Sequence, residues 1–227
     1  DGTKVEYDKL LIATGANSFI PPVGNLREAK NVFGLRHLSD AQAIDQSAKE
    51  AENIVIIGSG LVGLDAAYGL METGKNVSIV EMADRILPVQ LDKTAAKEYQ
   101  KRFESAGAKF YLGRKAAETK MDENGKITTV ILDNGEELKS DLIIVAAGVR
   151  SATAGFETEE IIVDRGMKVD EFMQTGAKDV YAAGDVTGLS GIWPNAQKQG
   201  ETAALNMMGG RVPYTDRFAA KNTINFF

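Results

Sequence analysis

A glycine-rich turn carries the clearest chemical signal in the sequence. Residues 58–63 read Gly-Ser-Gly-Leu-Val-Gly, which fits the G-x-G-x-x-G spacing between a strand pattern and a helical pattern. Gly58 permits a tight turn, Gly60 lets the backbone approach a pyrophosphate, and Gly63 lets the helix pack closely on its strand. The anion would lie at the positive end of the helix. The motif predicts a dinucleotide site, with a glycine-rich turn that binds no ligand as the alternative.

A carboxylate further along the chain indicates which nucleotide fits. Glu81 ends the strand pattern that follows the helix, where a carboxylate can accept both hydroxyls of an adenosine ribose. The same charge would repel a 2′-phosphate, so we expect NADH to be preferred over NADPH. Arg85 leaves NADPH open as the alternative, and a solvated surface charge is the other interpretation of this arginine.

Regular elements on both sides of the turn must position these residues. Their apolar periodicity, caps and turn residues predict a strand at 53–57, a helix at 61–73 closed by Gly74, and strands at 77–81, 109–112, 116–121 and 126–132. Asp92 is placed to cap a further helix that runs to about residue 106, and Asn124-Gly125 is a strong hairpin signal.

Two segments of the chain repeat one another without a gap. Residues 2–16 read GTKVEYDKLLIATGA and residues 135–149 read GEELKSDLIIVAAGV. Each contains a short apolar run followed by a glycine, which is typical of a strand covered on both faces of a parallel sheet. The repeat predicts two α/β domains of the same Rossmann-like design.

The domain boundaries follow from what surrounds each copy. Residues 49–150 contain a full nucleotide-binding unit and are predicted to be inserted between residues 1–48 and 151–215 of the other domain. In that other domain we expect a strand near 179–183 and a helix from 194 to about 208. The first copy has no nucleotide-binding unit before it, so we expect a fragment that lacks the amino-terminal half of this domain. Residues 216–227 are predicted to begin a carboxy-terminal domain.

Composition excludes several classes of function. The chain has 26 basic and 32 acidic residues and a pI near 5.0, which disfavours a nucleic-acid or anionic-membrane surface. No apolar run is long enough to span a bilayer, and we expect a cytoplasmic location. With no cysteine and one histidine, the chain offers neither a thiolate nucleophile nor a cysteine or multi-histidine metal site. Its chemistry must therefore be carried largely by a cofactor.

Four motifs together resemble one known family. Besides the glycine motif these are YDKLLIATG at 7–15, AGVR at 147–150 and YAAGDV at 181–186. They resemble the pyridine nucleotide-disulfide oxidoreductase superfamily, and within it the NADH-dependent branch of NADH oxidases and peroxidases, coenzyme A disulfide reductases, rubredoxin reductases and nitrite reductase flavin modules.

The resemblance implies a flavoprotein oxidoreductase. FAD would be bound by one domain and NAD(H) by the inserted one, with hydride passing from NADH to the flavin. The electrons would continue to an unidentified acceptor, which is a disulfide, oxygen or peroxide, or a redox protein. A cysteine in the missing amino-terminal half would distinguish these classes. We also expect the intact protein to be a homodimer and this fragment to bind FAD poorly.

The resemblance also assigns residues to the flavin. Thr14 and Gly15 would lie beside the FAD diphosphate and ribityl region. Asp185, which follows Gly184, would bond a ribityl hydroxyl, since a carboxylate is a strong acceptor and glycine gives close backbone access. A turn cap is the alternative role for Asp185.

A helix start would face the flavin ring. Trp193 and Pro194 resemble the beginning of the helix that points at the flavin pyrimidine edge, and proline suits a first helical turn. A core or interface aromatic is the alternative for Trp193.

Asp65 completes the nucleotide set implied by the resemblance. It occupies a position where many relatives carry a glutamate near the nicotinamide, but it is one methylene shorter, so an ordinary helix residue is equally open. The candidate NAD(H)-binding residues are Gly58, Ser59, Gly60, Leu61, Val62, Gly63, Asp65, Glu81 and Gly148. No catalytic side chain is expected, because hydride transfer is the chemistry of the two cofactors. A non-catalytic redox sensor or assembly module is the alternative function.

Overall fold

The computed structural model describes residues 2–215, 218, 219 and 226, and the chain forms two compact units. Unit 1 comprises residues 1–17 and 149–223, and unit 2 comprises residues 18–148 and 224–227. The first boundary therefore lies at residue 17, whereas the sequence predicted it near 48. Of the predicted carboxy-terminal domain, Phe218, Ala219 and Phe226 are described, and the rest of 216–227 lies outside the described residues.

Short strands outnumber helices along the described residues. In chain order the strands are β1 (Leu10–Ile12), β2 (Ala16–Ser18), β3 (Val32–Gly34), β4 (Asn53–Ile57), β5 (Asn76–Glu81), β6 (Lys109–Leu112), β7 (Ala116–Met121), β8 (Ile127–Leu132), β9 (Glu137–Lys139), β10 (Leu142–Val145), β11 (Val149–Ser151) and β12 (Val180–Ala182). The helices are α1 (Leu38–Ala48), α2 (Leu61–Glu72), α3 (Lys93–Ser105) and α4 (Trp193–Met207), with a 3-10 turn at Gly184–Thr187.

Unit 2 is built around a five-stranded parallel sheet in the order β3-β10-β4-β5-β6. Alternating residues of its central strands point to opposite faces. Ile54 and Ile56 pack in the cluster that includes α1, α2 and α3. Val55 and Ile143 pack on the other face, against the antiparallel sheet β7-β8-β9. Both faces are thus covered, which explains the continuous apolar runs in these strands.

Unit 1 contains β1 and β12 as a parallel pair, followed by the 3-10 turn and α4. A second two-stranded sheet is formed by β2 and β11. Two small apolar clusters hold the unit together; one contains Ile12 and Met167, and the other contains Tyr181 and Ala203.

The predicted α/β class is confirmed, as are the strands and helices predicted from residue 53 onward, to within one or two residues at their ends. Several elements were not predicted, among them β2, β3, β11 and α1. The strand β3 is three residues long and hydrogen-bonds to β10. Because β10 belongs to the five-stranded sheet, this pairing places β3 in unit 2, to which residues 18–148 belong. The helix α1 begins after His37, whose N–H donates to Oδ2 of Asp40 at 2.9 Å. No helix in the described part of the chain is long and apolar enough to cross a membrane.

Candidate functional site

The glycine motif forms the turn between β4 and α2. Gly58 has a φ of 107°, a conformation that favours glycine, and a Cβ there would stand 2.5 Å from the carbonyl oxygen of Ala146. A Cβ on Gly63 would collide with the carbonyl of Gly58, so α2 approaches β4 closely only with glycine at this position. Gly60 differs from both. It is the N-cap of α2 with a φ of −71°, and no neighbouring atom lies within 4 Å of the place its Cβ would take. Packing explains two of the glycines, while Gly60 leaves open space beside a helix N-terminus.

The carboxylate of Glu81 lies against this turn. Its Oε2 accepts hydrogen bonds from the N–H and the hydroxyl of Ser59, both at 2.8 Å. Its Oε1 accepts one from the N–H of Ala83 at 2.8 Å. Because a carboxylate has about four acceptor positions, one on Oε1 remains for a ligand. This differs from the expectation that Glu81 accepts both hydroxyls of a ribose.

A cavity of about 450 Å³ opens beside Gly58, Gly60 and Glu81. It lies at the carboxyl ends of β4, β5 and β10, which is where open parallel sheets bind ligands. Most of its wall is apolar. Two apolar side chains of the wall, Met82 and Val89, are 74% and 88% exposed, which leaves their surfaces free to cover an aromatic base. Apolar walls with a few polar groups are typical of small-molecule sites.

Arg85 holds the loop that follows β5. Its Nε donates to the carbonyl of Leu91 at 3.1 Å, and its Nη2 donates to the carbonyl of Pro88 at 2.9 Å. Its Nη1 bonds Oδ1 of Asp84 at 3.0 Å, and Lys93 pairs with the other oxygen of that carboxylate at 2.6 Å. Hydrogen bonds from Lys93 and Arg85 lower the pKa of Asp84. All three guanidinium nitrogens therefore have partners near the loop.

The residues predicted to face a flavin lie in unit 1. The parallel neighbours β1 and β12 end side by side, so Thr14 and Gly184 follow adjacent strand ends. The hydroxyl of Thr14 donates to the carbonyl of Ala152 at 2.7 Å. Gly15 and Gly184 have φ values of 71° and 82°, so both positions favour glycine.

A buried amide holds the turn that carries Asp185. The Oε1 of Gln199 accepts hydrogen bonds from the N–H of Gly184 at 2.8 Å and from the hydroxyl of Thr187 at 3.2 Å. Gln199 lies on the buried face of α4 and is fully buried. From the other side, the hydroxyl of Ser151 donates to the backbone carbonyl of Asp185 at 2.7 Å. The backbone of the turn is therefore fixed at two points.

The start of α4 carries Trp193 and Pro194 in its first turn, after Ile192 as N-cap. Trp193 is 82% exposed among the described residues. It is therefore not a core aromatic among the described residues, while a role as an interface aromatic or at the flavin stays a prediction.

Comparison with known families decides what kind of protein carries these sites. The family model described as pyridine nucleotide-disulphide oxidoreductase matches residues 1–200. The chain belongs to this family. The resemblance drawn from the four motifs is thereby confirmed.

Individual pyridine nucleotide-disulphide oxidoreductases give the extent of the match. The epsilon subunit of the NADH-dependent phenylglyoxylate dehydrogenase of Aromatoleum evansii is 35% identical over 100% of this chain and 56% of the relative. An NADH oxidase of Enterococcus faecalis is 34% identical over 80% of this chain and 40% of the relative. A solved ferredoxin reductase from Rhodopseudomonas palustris superposes with a TM-score of 0.86 at 26% identity, over 94% of this chain and 55% of that one. The chain spans about half the length of such relatives.

Asp65, predicted to lie near the nicotinamide of this family, projects from α2. Asp65 as a whole is exposed. Neighbouring protein atoms nevertheless exclude part of the water around its carboxyl group, and this partial burial raises the pKa of that group. It forms no hydrogen bond or ion pair with another residue that the structure describes, and it does not line the cavity beside Glu81. Its contact with the nicotinamide stays a prediction.

Some of the residues that line the cavity were not predicted from the sequence. Arg114 and Lys115 line the cavity just after the end of β6. Their position beyond the carboxyl end of β6 is the available signal, because open parallel sheets bind ligands at this end of their strands. Gly148, which was predicted, follows the cavity-lining Ala147 with a φ of 91°. Gln199 had no local signal, because only the fold places it beneath Gly184.

Proposed function

We propose that unit 2 binds NADH and that the whole protein is a FAD-dependent oxidoreductase that takes hydride from NADH and passes electrons to an acceptor. The observation that carries the proposal is the open space at Gly60, which adjoins both a helix N-terminus and the Glu81 carboxylate in one cavity. Relatives named NADH-dependent phenylglyoxylate dehydrogenase and NADH oxidase support the choice of nucleotide.

The pyrophosphate would lie at Gly60. The first N–H groups of a helix have no partner within the helix, and together with the helix dipole they favour an anion. Leu61 and Val62 supply such groups at the start of α2, and Gly60 has no side chain to obstruct the approach.

The ribose would be held by Glu81. The free acceptor position on Oε1 can take one hydroxyl, while Ser59 and Ala83 fix the carboxylate in place. A 2′-phosphate would meet a like charge here, and the guanidinium of Arg85 is already paired with Asp84. These features support a preference for NADH over NADPH.

The residues of unit 1 fit FAD. Two glycines with positive φ give close backbone access at adjacent strand ends, and Thr14 and Asp185 offer polar groups beside them. We propose that Thr14, Gly15, Gly184 and Asp185 contact the FAD diphosphate and ribityl chain. The positive N-terminus of α4, with Trp193 and Pro194 in its first turn, would stabilise negative charge on the ring. When bound, the flavin supplies hydride acceptance and electron release, so the chain needs to bind, orient and exclude water.

The acceptor stays open among a disulfide, oxygen or peroxide, and a redox protein. Relatives are named as an NADH oxidase, a ferredoxin–NAD(+) reductase component and an electron transfer subunit of assimilatory nitrate reductase. These names support an electron-transfer role for the whole protein without selecting one partner. The homodimer and the cytoplasmic location stay predictions.

Gly60, the N-cap of α2, and Gly69 within α2 provide a matched test of the nucleotide site. Gly60 and Gly69 both leave open space where a Cβ would stand, but only Gly60 lines the cavity. We expect Gly60→Val to abolish NADH binding in calorimetric titration and Gly69→Val to retain it, with both variants folded by circular dichroism. Retained NADH affinity in Gly60→Val would contradict the proposal, as would a wild-type chain that does not bind NADH.

A further inference from the structure

We propose that Arg85 is a positioning residue that shapes the nucleotide cavity for NADH and NADPH alike, and is not a ligand of a 2′-phosphate. This inference rests on the proposed function of unit 2. An arginine shortly after the ribose-binding acid invites the opposite interpretation, because a guanidinium is a good phosphate ligand.

The loop after β5 is fixed at several points, and Arg85 makes two of them. Its Nε and Nη2 bridge the carbonyls of Leu91 and Pro88 at 3.1 and 2.9 Å. A third point is the N–H of Leu87, which donates to the carbonyl of Ser59 in the glycine motif at 3.0 Å. Leu87 has a φ of 47°, which a leucine adopts only when its surroundings hold it there.

The segment held in this way forms part of the cavity. Pro88, Val89 and Gln90 line the wall beside Glu81. Arg85 itself does not line that cavity. It lies instead in a separate depression of about 310 Å³ together with Asp84 and Lys93. A nucleotide in the cavity would therefore touch the loop that Arg85 holds, while the guanidinium stays on the other side and in contact with Asp84.

The shape of the guanidinium is what the loop needs. Two carbonyls and a carboxylate are bonded by three nitrogens of one planar fork, and a lysine ammonium cannot reproduce that geometry although it keeps the charge. Loss of the fork would free Pro88 and Leu91 and loosen the cavity wall. The adenosine half is common to both nucleotides, so both should lose affinity by the same factor.

The test is calorimetric titration of the 227-residue chain with NADH and with NADPH, comparing wild type, Arg85→Lys and Arg85→Ala. Arg102→Lys on the exposed side of α3 is the matched control. We expect both Arg85 variants to bind NADH and NADPH about tenfold more weakly, with their ratio unchanged, and the control to match wild type. In Arg85→Ala, millimolar guanidinium at constant ionic strength should restore part of the affinity for both nucleotides.

A loss confined to NADPH would overturn the inference in favour of a phosphate ligand. Unchanged affinity for both nucleotides would overturn it as well. If Arg85→Ala does not fold, Arg85→Lys and the hydrogen exchange of the Leu87 amide decide: faster exchange with weaker binding supports the inference, and unchanged exchange contradicts it. Failure of wild type to bind NADH would reject the proposed function instead, so the two failures are distinguishable.

Discussion

The two copies of the repeated segment have similar sequences but different surroundings. In the second copy, β10 lies between β3 and β4, and all four of its residues are buried. In the first copy, β1 has β12 as its neighbour within the described residues, and only Ile12 is buried. Both strands are followed by a glycine with positive φ, at Gly15 and Gly148. The local sequence thus determines the strand and its glycine, whereas neighbouring strands determine burial.

The aspartate before each strand shows the same difference. Asp141 in the second copy accepts hydrogen bonds on Oδ2 from the N–H groups of Glu52 and Asn53 and from the side chain of Asn53, at 2.8 to 3.1 Å. Asp8 in the first copy is exposed and bonds no other described residue. One carboxylate joins two strands, and its counterpart is solvated.

Truncation of one side chain in each strand should give the largest difference in unfolding free energy between the two copies. Ile143→Ala removes a fully buried side chain and should cost about 2 to 5 kcal/mol of unfolding free energy. Leu11→Ala, at a half-buried position of β1, should cost less than half as much. Urea denaturation followed by circular dichroism measures both. Equal losses would show that β1 is as deeply packed as β10.

Nucleotide binding should depend on the unit that contains the second copy. Glu81→Ala removes the acceptor for a ribose hydroxyl and the partner of Ser59, so NADH affinity should fall by about 1.5 to 3 kcal/mol. NADPH affinity should fall less, because the repelling charge is also removed. Titration with both nucleotides is the measurement, and Asp185→Ala in unit 1 should leave both affinities unchanged. An equal loss in the two variants would contradict the assignment.

The glycines that follow the two strands, Gly15 and Gly148, allow a further comparison because both have a positive φ. Gly15→Ala and Gly148→Ala should each cost about 1 to 2 kcal/mol of stability, the strain of a Cβ at positive φ. Of the two, Gly148→Ala should also weaken NADH binding, since it adjoins the cavity wall at Ala147. Thermal unfolding with and without NADH separates the effects. An NADH effect from Gly15→Ala alone would reverse the roles of the copies.

The aspartates of the two copies should give the smallest difference in stability, and this difference should depend on pH. Burial raises the pKa of Asp141, but hydrogen bonds from Asn53 and Glu52 outweigh it and leave the pKa below its usual value. A carboxyl whose pKa is lowered by folding stabilises the protein above its unfolded pKa, and this contribution is lost as the pH falls through the folded value. Asp141→Asn should therefore cost about 1 kcal/mol at pH 7 and less at about pH 3, as the pH approaches the lowered pKa of Asp141, whereas Asp8→Asn should change nothing. Urea midpoints at both pH values check this, and a pH-independent effect of Asp141→Asn would contradict it.

The sequence predicted what depends on local pattern. The glycine motif, the β4-α2-β5 unit and the hairpin at Asn124-Gly125 follow from spacing, periodicity and turn chemistry, and the structure contains them. It did not predict β3, because a three-residue strand is recognisable only by its partner β10. Without β3 in unit 2, the boundary at residue 17 could not be placed. The helix α1 was also not predicted.

Contacts within the site were also beyond the sequence. The hydrogen bonds of Ser59 to Glu81 and of Arg85 to its own loop depend on a backbone path that residue types do not specify. The same holds for Gln199, which reaches Gly184 only through the packing of α4. Spacing identified the residues of the glycine motif, but not how many acceptor positions Glu81 keeps for a ligand.

A structure of the chain crystallised with NADH tests the central claim most directly. We predict that the pyrophosphate lies within hydrogen-bond distance of the first N–H groups of α2 beside Gly60, and that one ribose hydroxyl bonds Oε1 of Glu81. Pro88 and Val89 should contact the adenosine half, with Arg85 on the far side of the loop. A nucleotide bound elsewhere on the chain, or a pyrophosphate away from Gly60, would contradict the account.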